Sequence, residues 1–170
     1  MHGPIVGRES IFLAESLERE EVLRLDRRTL SIVWRVTLGE GFWPMDVQED
    51  KHLLVKYVRG PVEMGVVDVE TGAFRWRVGV AAPPITAQGK VLCGRGGHLE
   101  VRQMSSGDVI DSVPLWAEDA GPGAVQGSLV LCANPRRSAA CIDLVRRRVV
   151  WQRDLAVQIG QRYGYEHPVT

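Results

Sequence analysis

Arginine carries most of the chemical reach of this chain. Arg24, Arg27 and Arg28 stand together early, Arg146, Arg147 and Arg148 stand together late, and Arg136-Arg137 follow Pro135. Guanidinium groups offer forked donors that suit phosphate or carboxylate, so clusters gathered on one rim could hold an anion or an acidic partner. Asp26, Asp143 and Asp154 lie close by and offset them. Over the whole chain 21 basic side chains meet 21 acidic ones, and no aromatic platform for bases is interleaved with the arginines. Solubility is the favoured role of the clusters, contact with an anion or a partner is the alternative, and a nucleic-acid partner is not expected.

The remaining reactive types are scattered. His2, His52, His98 and His167 are isolated, without the paired spacing that a metal site requires. Cys93, Cys132 and Cys141 are dispersed, and no C-x-x-C-H haem attachment sequence is present. Three cysteines form no disulfide framework, and buried reduced thiols are the favoured reading of Cys93 and Cys132. Gly94-Arg95-Gly96-Gly97 invites comparison with a phosphate loop, but a strand rather than a helix follows it, which marks a hairpin. Ser10, Ser105, Ser106 and Ser128 have no nucleophile-elbow context. No catalytic, metal or cofactor-binding residue is nominated, and no cofactor is expected.

The elements that position these residues come from a repeat. VVDVETGAFRW, LRLDRRTLSIVW and CIDLVRRRVVW each place an Asp eight residues before a Trp: Asp68 and Trp76, Asp26 and Trp34, Asp143 and Trp151. A degenerate copy, VRQMSSGDVID, puts Gln103 at the Asp position and Asp111 at the Trp position, with Gly107 aligned on Gly72. Offsets of about 35 to 42 residues between copies match the length of a four-stranded propeller blade. A short apolar strand precedes each marker, and a Pro or Gly with another apolar piece precedes that strand. The charged run from Glu15 to Glu21 reads as a solvated hairpin loop.

The residue types suit those positions. Thr71-Gly72 and Ser106-Gly107 supply the positive φ of a tight hairpin, whereas Leu30 and Arg147 at the same place predict longer turns or another type. Asp26, Asp68 and Asp143 are expected to accept hydrogen bonds from turn amides. Trp34, Trp76 and Trp151 recur at one repeat position, so they are expected to dock each blade on its neighbour, with Gly72 and Gly107 in the same structural set. Asp111 cannot fill an indole slot, so the contact around blade three should be looser or rebuilt by Trp116.

This pattern of Asp, Thr-Gly and Trp resembles the tryptophan-docking repeat of the PQQ-like β-propellers. The group includes quinoprotein alcohol dehydrogenases and an outer-membrane assembly lipoprotein of the β-barrel machinery, and the resemblance runs from about Pro4 to Leu155. It implies an all-β propeller of four-stranded antiparallel blades, about four of them in this chain. For the dehydrogenases it also implies a vicinal cysteine disulfide and a calcium site with a catalytic Asp. This chain has no adjacent cysteines, so the resemblance carries the fold and not the quinone chemistry.

Blades are expected at residues 4–40, 43–80, 83–118 and 122–156 with a tail at 157–170, all in one domain. An open arc of four would leave two apolar faces in water. A homodimer completing an eight-bladed ring, or membership of a longer chain, is therefore favoured over a closed four-bladed monomer. No apolar run reaches the length of a membrane span and the start lacks signal-peptide regions, so no membrane partner and a cytoplasmic location are expected. The expected function is a non-catalytic scaffold that binds a protein or peptide. The rivals are a quinoprotein-like or other propeller enzyme and a phosphate or nucleic-acid binder using the arginine rim.

Overall fold

The computed structural model describes residues 4–15, 21–38, 42–57, 62–135 and 138–155, with the side chains of Glu15 and Trp43 left aside. Sheet one comprises β1 (Ile5–Val6), β2 (Ser10–Glu15), β3 (Glu21–Asp26) and β4 (Ile32–Thr37). Sheet two comprises β5 (Phe42–Gln48), β6 (His52–Tyr57), β7 (Glu63–Asp68) and β8 (Phe74–Gly79). Sheet three comprises β9 (Ile85–Ala87), β10 (Lys90–Arg95), β11 (His98–Gln103) and β12 (Val109–Pro114). Sheet four comprises β13 (Gly121–Gln126), β14 (Leu129–Ala133), β15 (Ser138–Asp143) and β16 (Arg148–Asp154). Every sheet is an antiparallel meander in chain order, and the four form the blades of a β-propeller. The loop expected between Glu15 and Glu21 and the tail at 157–170 lie outside the described residues, as do His2, His167, Arg136 and Arg137.

The middle strands show why the sheets stack. In β6, β7 and β10 runs of three or four consecutive residues are buried, so both faces of the strand are covered. Three apolar clusters do the covering, and each lies between successive sheets. Phe12 of sheet one meets Leu53, Val55 and Val67 of sheet two. Leu54 and Val66 meet Val91 and Cys93 of sheet three, and Leu92 and Val101 meet Val130, Cys132 and Ile142 of sheet four. Each sheet thus has a forward face toward the next sheet and a rear face toward the previous one. Apolar burial at roughly 25 cal/mol per Å² makes these junctions the main source of stability.

A bulge recurs at one place in all four sheets. The register between third and fourth strands shifts at Arg24/Leu25, Val66/Val67, Val101/Arg102 and Cys141/Ile142. The unpaired extra residue is Val33, Arg75, Ile110 or Val150, immediately before the tryptophan position in each case. A bulge re-aims the side chain after it. Here it turns the tryptophan position onto the forward face, where Trp34 stands directly across from Arg24 and Phe12, and Trp76 from Val66 and Leu54.

Leu30 and Arg147 correct the expectation of different turns in sheets one and four. Leu30 has φ 57° and Arg147 φ 53°, the same left-handed region as Gly72 at 74° and Gly107 at 78°. The reason is the preceding Asp. One oxygen of Asp26 accepts the amides of Arg28 and Thr29, one of Asp68 those of Glu70 and Thr71, and one of Asp143 those of Val145 and Arg146. These paired bonds over-determine the turn and hold an ordinary side chain where glycine is the easy choice.

Candidate functional site

The junctions between sheets are where the singled-out residues converge. Trp34 donates its indole N–H to the carbonyl of Val69 at 2.7 Å, and Trp76 donates to Met104 at 2.8 Å. Val69 and Met104 each follow the marker residue of the next sheet, so one rule builds both junctions. The rings also lie on the glycines of the next sheet's turn. A Cβ on Gly107 would come within 2.7 Å of the Trp76 ring, and one on Gly72 within 3.5 Å of Trp34. These glycines therefore serve twice, in the backbone turn and as a floor for an indole.

At the junction of sheets three and four the same two positions hold different residues. Asp111 stands where the indole would be, and Arg147 stands where the glycine would be. They meet: Arg147 Nη2 lies 3.2 Å from Asp111 Oδ1 and donates to the Ser112 carbonyl at 3.2 Å. The charged pair does not fill the space of a ring and its floor. A groove of about 410 Å³ remains, lined by Leu92, Val101 and Ile110 on one side and Val125, Leu144 and Arg147 on the other. Trp116 does not enter this slot, but it packs against the apolar cluster between the same two sheets and so rebuilds part of the junction away from the groove. It lies in the connector after β12, beside the β10–β11 turn where Leu115 donates to the Gly97 carbonyl, at the opposite end of the sheet from the β11–β12 turn. Its indole N–H is buried without a hydrogen-bond partner among the described residues.

Trp151 departs from the expected docking in another way. Its ladder of Leu131, Cys141 and Trp151 is the forward face of sheet four. Leu131 and Trp151 are 42% and 41% exposed, whereas Phe12, Leu54 and Leu92 at the Leu131 position of the other sheets are 0%, 0% and 1% exposed. Every residue of β16 is exposed. The rear face of sheet one is also incompletely covered, with Ile11, Leu13 and Leu25 only half-buried.

Most of the arginines named from sequence are engaged within the chain. Arg24 is not on a rim: it lies in β3, donating to Ser10 Oγ at 2.9 Å and to the Val69 carbonyl at 3.1 Å, which makes it part of the junction of sheets one and two. Arg27 donates to the carbonyls of Gly7 and Arg8, and Arg146 pairs with Asp143 at 2.9 Å. Arg27 and Arg28 line a recess of about 460 Å³ with Arg8, Glu9 and Asp26, while Arg148 opens β16 with an exposed side chain. The two clusters do occupy corresponding turns, in sheets one and four, but the structure does not bring them together into one pocket.

The titratable groups report the same division between turn and junction. Hydrogen bonds from the Thr29 amide and hydroxyl, the Thr71 amide and the Arg146 amide hold Asp26, Asp68 and Asp143 below the usual carboxylate range. Arg75 adds an ion pair to Asp68. Burial pushes the Cys93 thiol up to about 11 and Cys132 to about 12, which keeps both as unreactive thiols at neutral pH. His52 is lowered, first by desolvation and then by Arg75. His98 contacts the Gly96 carbonyl in an exposed turn. Among the described residues no group of three or more His, Cys, Asp or Glu side chains is placed to hold a metal ion.

No protein-family model matches the chain, and no curated protein matches it. Solved structures do. BamB from Moraxella catarrhalis is similar with a TM-score of 0.69 at 17% identity, over 88% of this chain and 48% of that one. Dihydro-heme d1 dehydrogenase NirN in complex with DHE gives 0.70 at 14% identity, over 91% and 37%. A europium-containing methanol dehydrogenase gives 0.61 at 12% identity, over 89% and 41%. At these identities the likeness establishes the fold alone, a β-propeller, and the chain spans less than half the length of each of the three.

Proposed function

We propose that the chain is a non-catalytic β-propeller scaffold that binds a protein or peptide partner, and that its arc is completed by a second copy. The observation that carries this is the forward face of sheet four. Leu131, Cys141 and Trp151 repeat the ladder that sheets one and two bury against a following sheet, yet here it faces water. A contiguous apolar face of this kind marks an interaction site. The half-buried rear face of sheet one is the surface that such a ladder meets elsewhere in the molecule. A head-to-tail pair would satisfy both faces twice and close an eight-bladed ring. Leu30, 63% exposed at the glycine-floor position of sheet one, would then pack its apolar side chain on Trp151 of the other copy.

A second reading shares that observation. The face is equally suited to further sheets of one longer polypeptide, which the 37% to 48% coverage of the similar structures favours. Light scattering decides between them. Two copies per particle, reverting to one in Trp151→Glu, is the expected result, and a well-folded wild-type monomer removes the dimer. Quinone or calcium retained by the purified protein, detected by absorbance and metal analysis, removes the non-catalytic reading.

A further inference from the structure

The groove between sheets three and four is a vacancy defined by the rest of the molecule. At two junctions of the same design an indole occupies this position and donates to the carbonyl after the marker residue. At the third the corresponding carbonyl belongs to Leu144, which lines the groove, and no described indole donates to it. The walls remain those of a ring slot, with Leu92, Val101 and Val125 supplying apolar surface. A volume of about 410 Å³ lies within the range of pockets that take small organic ligands.

Charge narrows the class of ligand. The groove is lined by two cations, Lys90 and Arg147, and one carboxylate, Asp111. Arg147 is paired with Asp111, which leaves Lys90 at the edge without an ionic partner among the described residues. An excess positive charge beside an apolar slot complements a flat ring that carries a carboxylate. Arg147, about two-thirds exposed, can also lie over the face of such a ring.

We propose that this groove binds an aromatic carboxylate of the indole type. The ring takes the place of the missing tryptophan, its N–H donates to the Leu144 carbonyl, and its carboxylate pairs with Lys90. Two sources present that chemistry: a free aromatic acid, and the C-terminal tryptophan of a peptide. The site is complete within one chain, so it is independent of whether sheet four docks on a second copy.

Titration of the full chain with N-acetyltryptophan, followed by amide NMR shifts, tests this. The expected result is saturable shifts centred on Ile110, Val125 and Leu144, at least tenfold weaker binding of an equivalent naphthyl acid that lacks the N–H, and about fivefold weaker binding to Lys90→Gln. Asp111→Trp should fill the slot with the chain's own indole and abolish binding. Lys90→Gln changes an exposed side chain and keeps the test decisive if Asp111→Trp does not fold. A short peptide ending in Trp that binds more tightly than N-acetyltryptophan supports a chain terminus as the source, and the reverse order supports a free acid. The proposal is overturned by shifts that are absent or centred on Trp151, by equal binding to Lys90→Gln, or by equal binding of the same peptide with an amidated end.

Discussion

The junction of sheets two and three and the junction of sheets three and four occupy equivalent positions and are closed by opposite means. In the first, Trp76 lies on Gly107 and donates to Met104, so a large apolar ring is buried and its one polar atom is satisfied. In the second, Asp111 pairs with Arg147, whose side chain is about two-thirds exposed. An ion pair so close to water contributes on the order of 0–1 kcal/mol, far less than a docked indole. Packing at that junction rests on the apolar cluster deeper between the sheets. A repeat position can thus exchange a structural residue for an open groove without loss of the fold, provided the strands beneath remain buried on both faces.

The largest test of this contrast removes the ring. Trp76→Ala should destabilise the protein by about 3 kcal/mol, since it empties a filled junction and leaves the Met104 carbonyl without its donor. Asp111→Ala should cost about 0.5 kcal/mol at most, because little is buried there. Urea unfolding monitored by circular dichroism measures both. Near-equal losses would show that the indole does not carry its junction.

The floor of the junction gives the next largest effect. Gly107→Ala introduces a Cβ 2.7 Å from the Trp76 ring at a φ of 78°, and should cost about 2–3 kcal/mol. Gly127→Ala is the control, with φ 59° and nothing within 4 Å of the added atom, so it should cost only the backbone term of about 1 kcal/mol. The difference between the two isolates the contact with the ring. Combining Gly107→Ala with Trp76→Ala should remove that difference, which the same unfolding experiment reads.

How much of this was legible from sequence follows from what each feature depends on. The four units and their strands are local: apolar alternation and turn residues at 35- to 42-residue offsets write them directly into the chain. The inner strands, turn aspartates and tryptophan positions are therefore readable one repeat at a time. The junction is not local. Asp111 and Arg147 look like two separate irregularities until the tryptophan position of one repeat is read against the glycine position of the next. That cross-repeat reading is the signal that could have found the groove. The bulge was signalled more faintly, by Ile32-Val33-Trp34 and Val149-Val150-Trp151, where three apolar residues in succession break strict alternation. Glycine preference alone misjudged Leu30 and Arg147, because it leaves out the hydrogen bonds from Asp26 and Asp143 that impose the turn.

Leu30 accordingly offers a smaller and opposite effect. In the Trp151→Glu background, where no second copy covers it, Leu30 is exposed and held at positive φ, so Leu30→Gly should relieve strain worth more than the added flexibility of glycine costs, for a net gain of about 0.5 kcal/mol. Arg147→Gly relieves the same strain but gives up the pair with Asp111, and its net effect should be near zero. Thermal unfolding of the two variants separates them. If Arg147→Gly stabilises as much as Leu30→Gly, the ion pair adds nothing even to the junction that has no indole.

The mildest perturbation is acid, and it divides the sheets along a different line. Asp26, Asp68 and Asp143 each have a folded-state pKa below the unfolded value, so their contribution to stability is fully present above the ordinary carboxylate pKa, about 4. That contribution is lost as pH falls through the lowered folded value. Sheet three has Gln103 at this position, and its turn is closed by backbone bonds, with the Gly107 amide donating to the Gln103 carbonyl at 2.8 Å. The amide resonances of Thr29, Thr71 and Arg146 should therefore titrate together below pH 4. Asp68→Asn should abolish the Thr71 titration alone. Thr29 or Arg146 titrations that vanish with it would mean that the turns respond to a common loss of packing between sheets, and that the aspartates do not act locally.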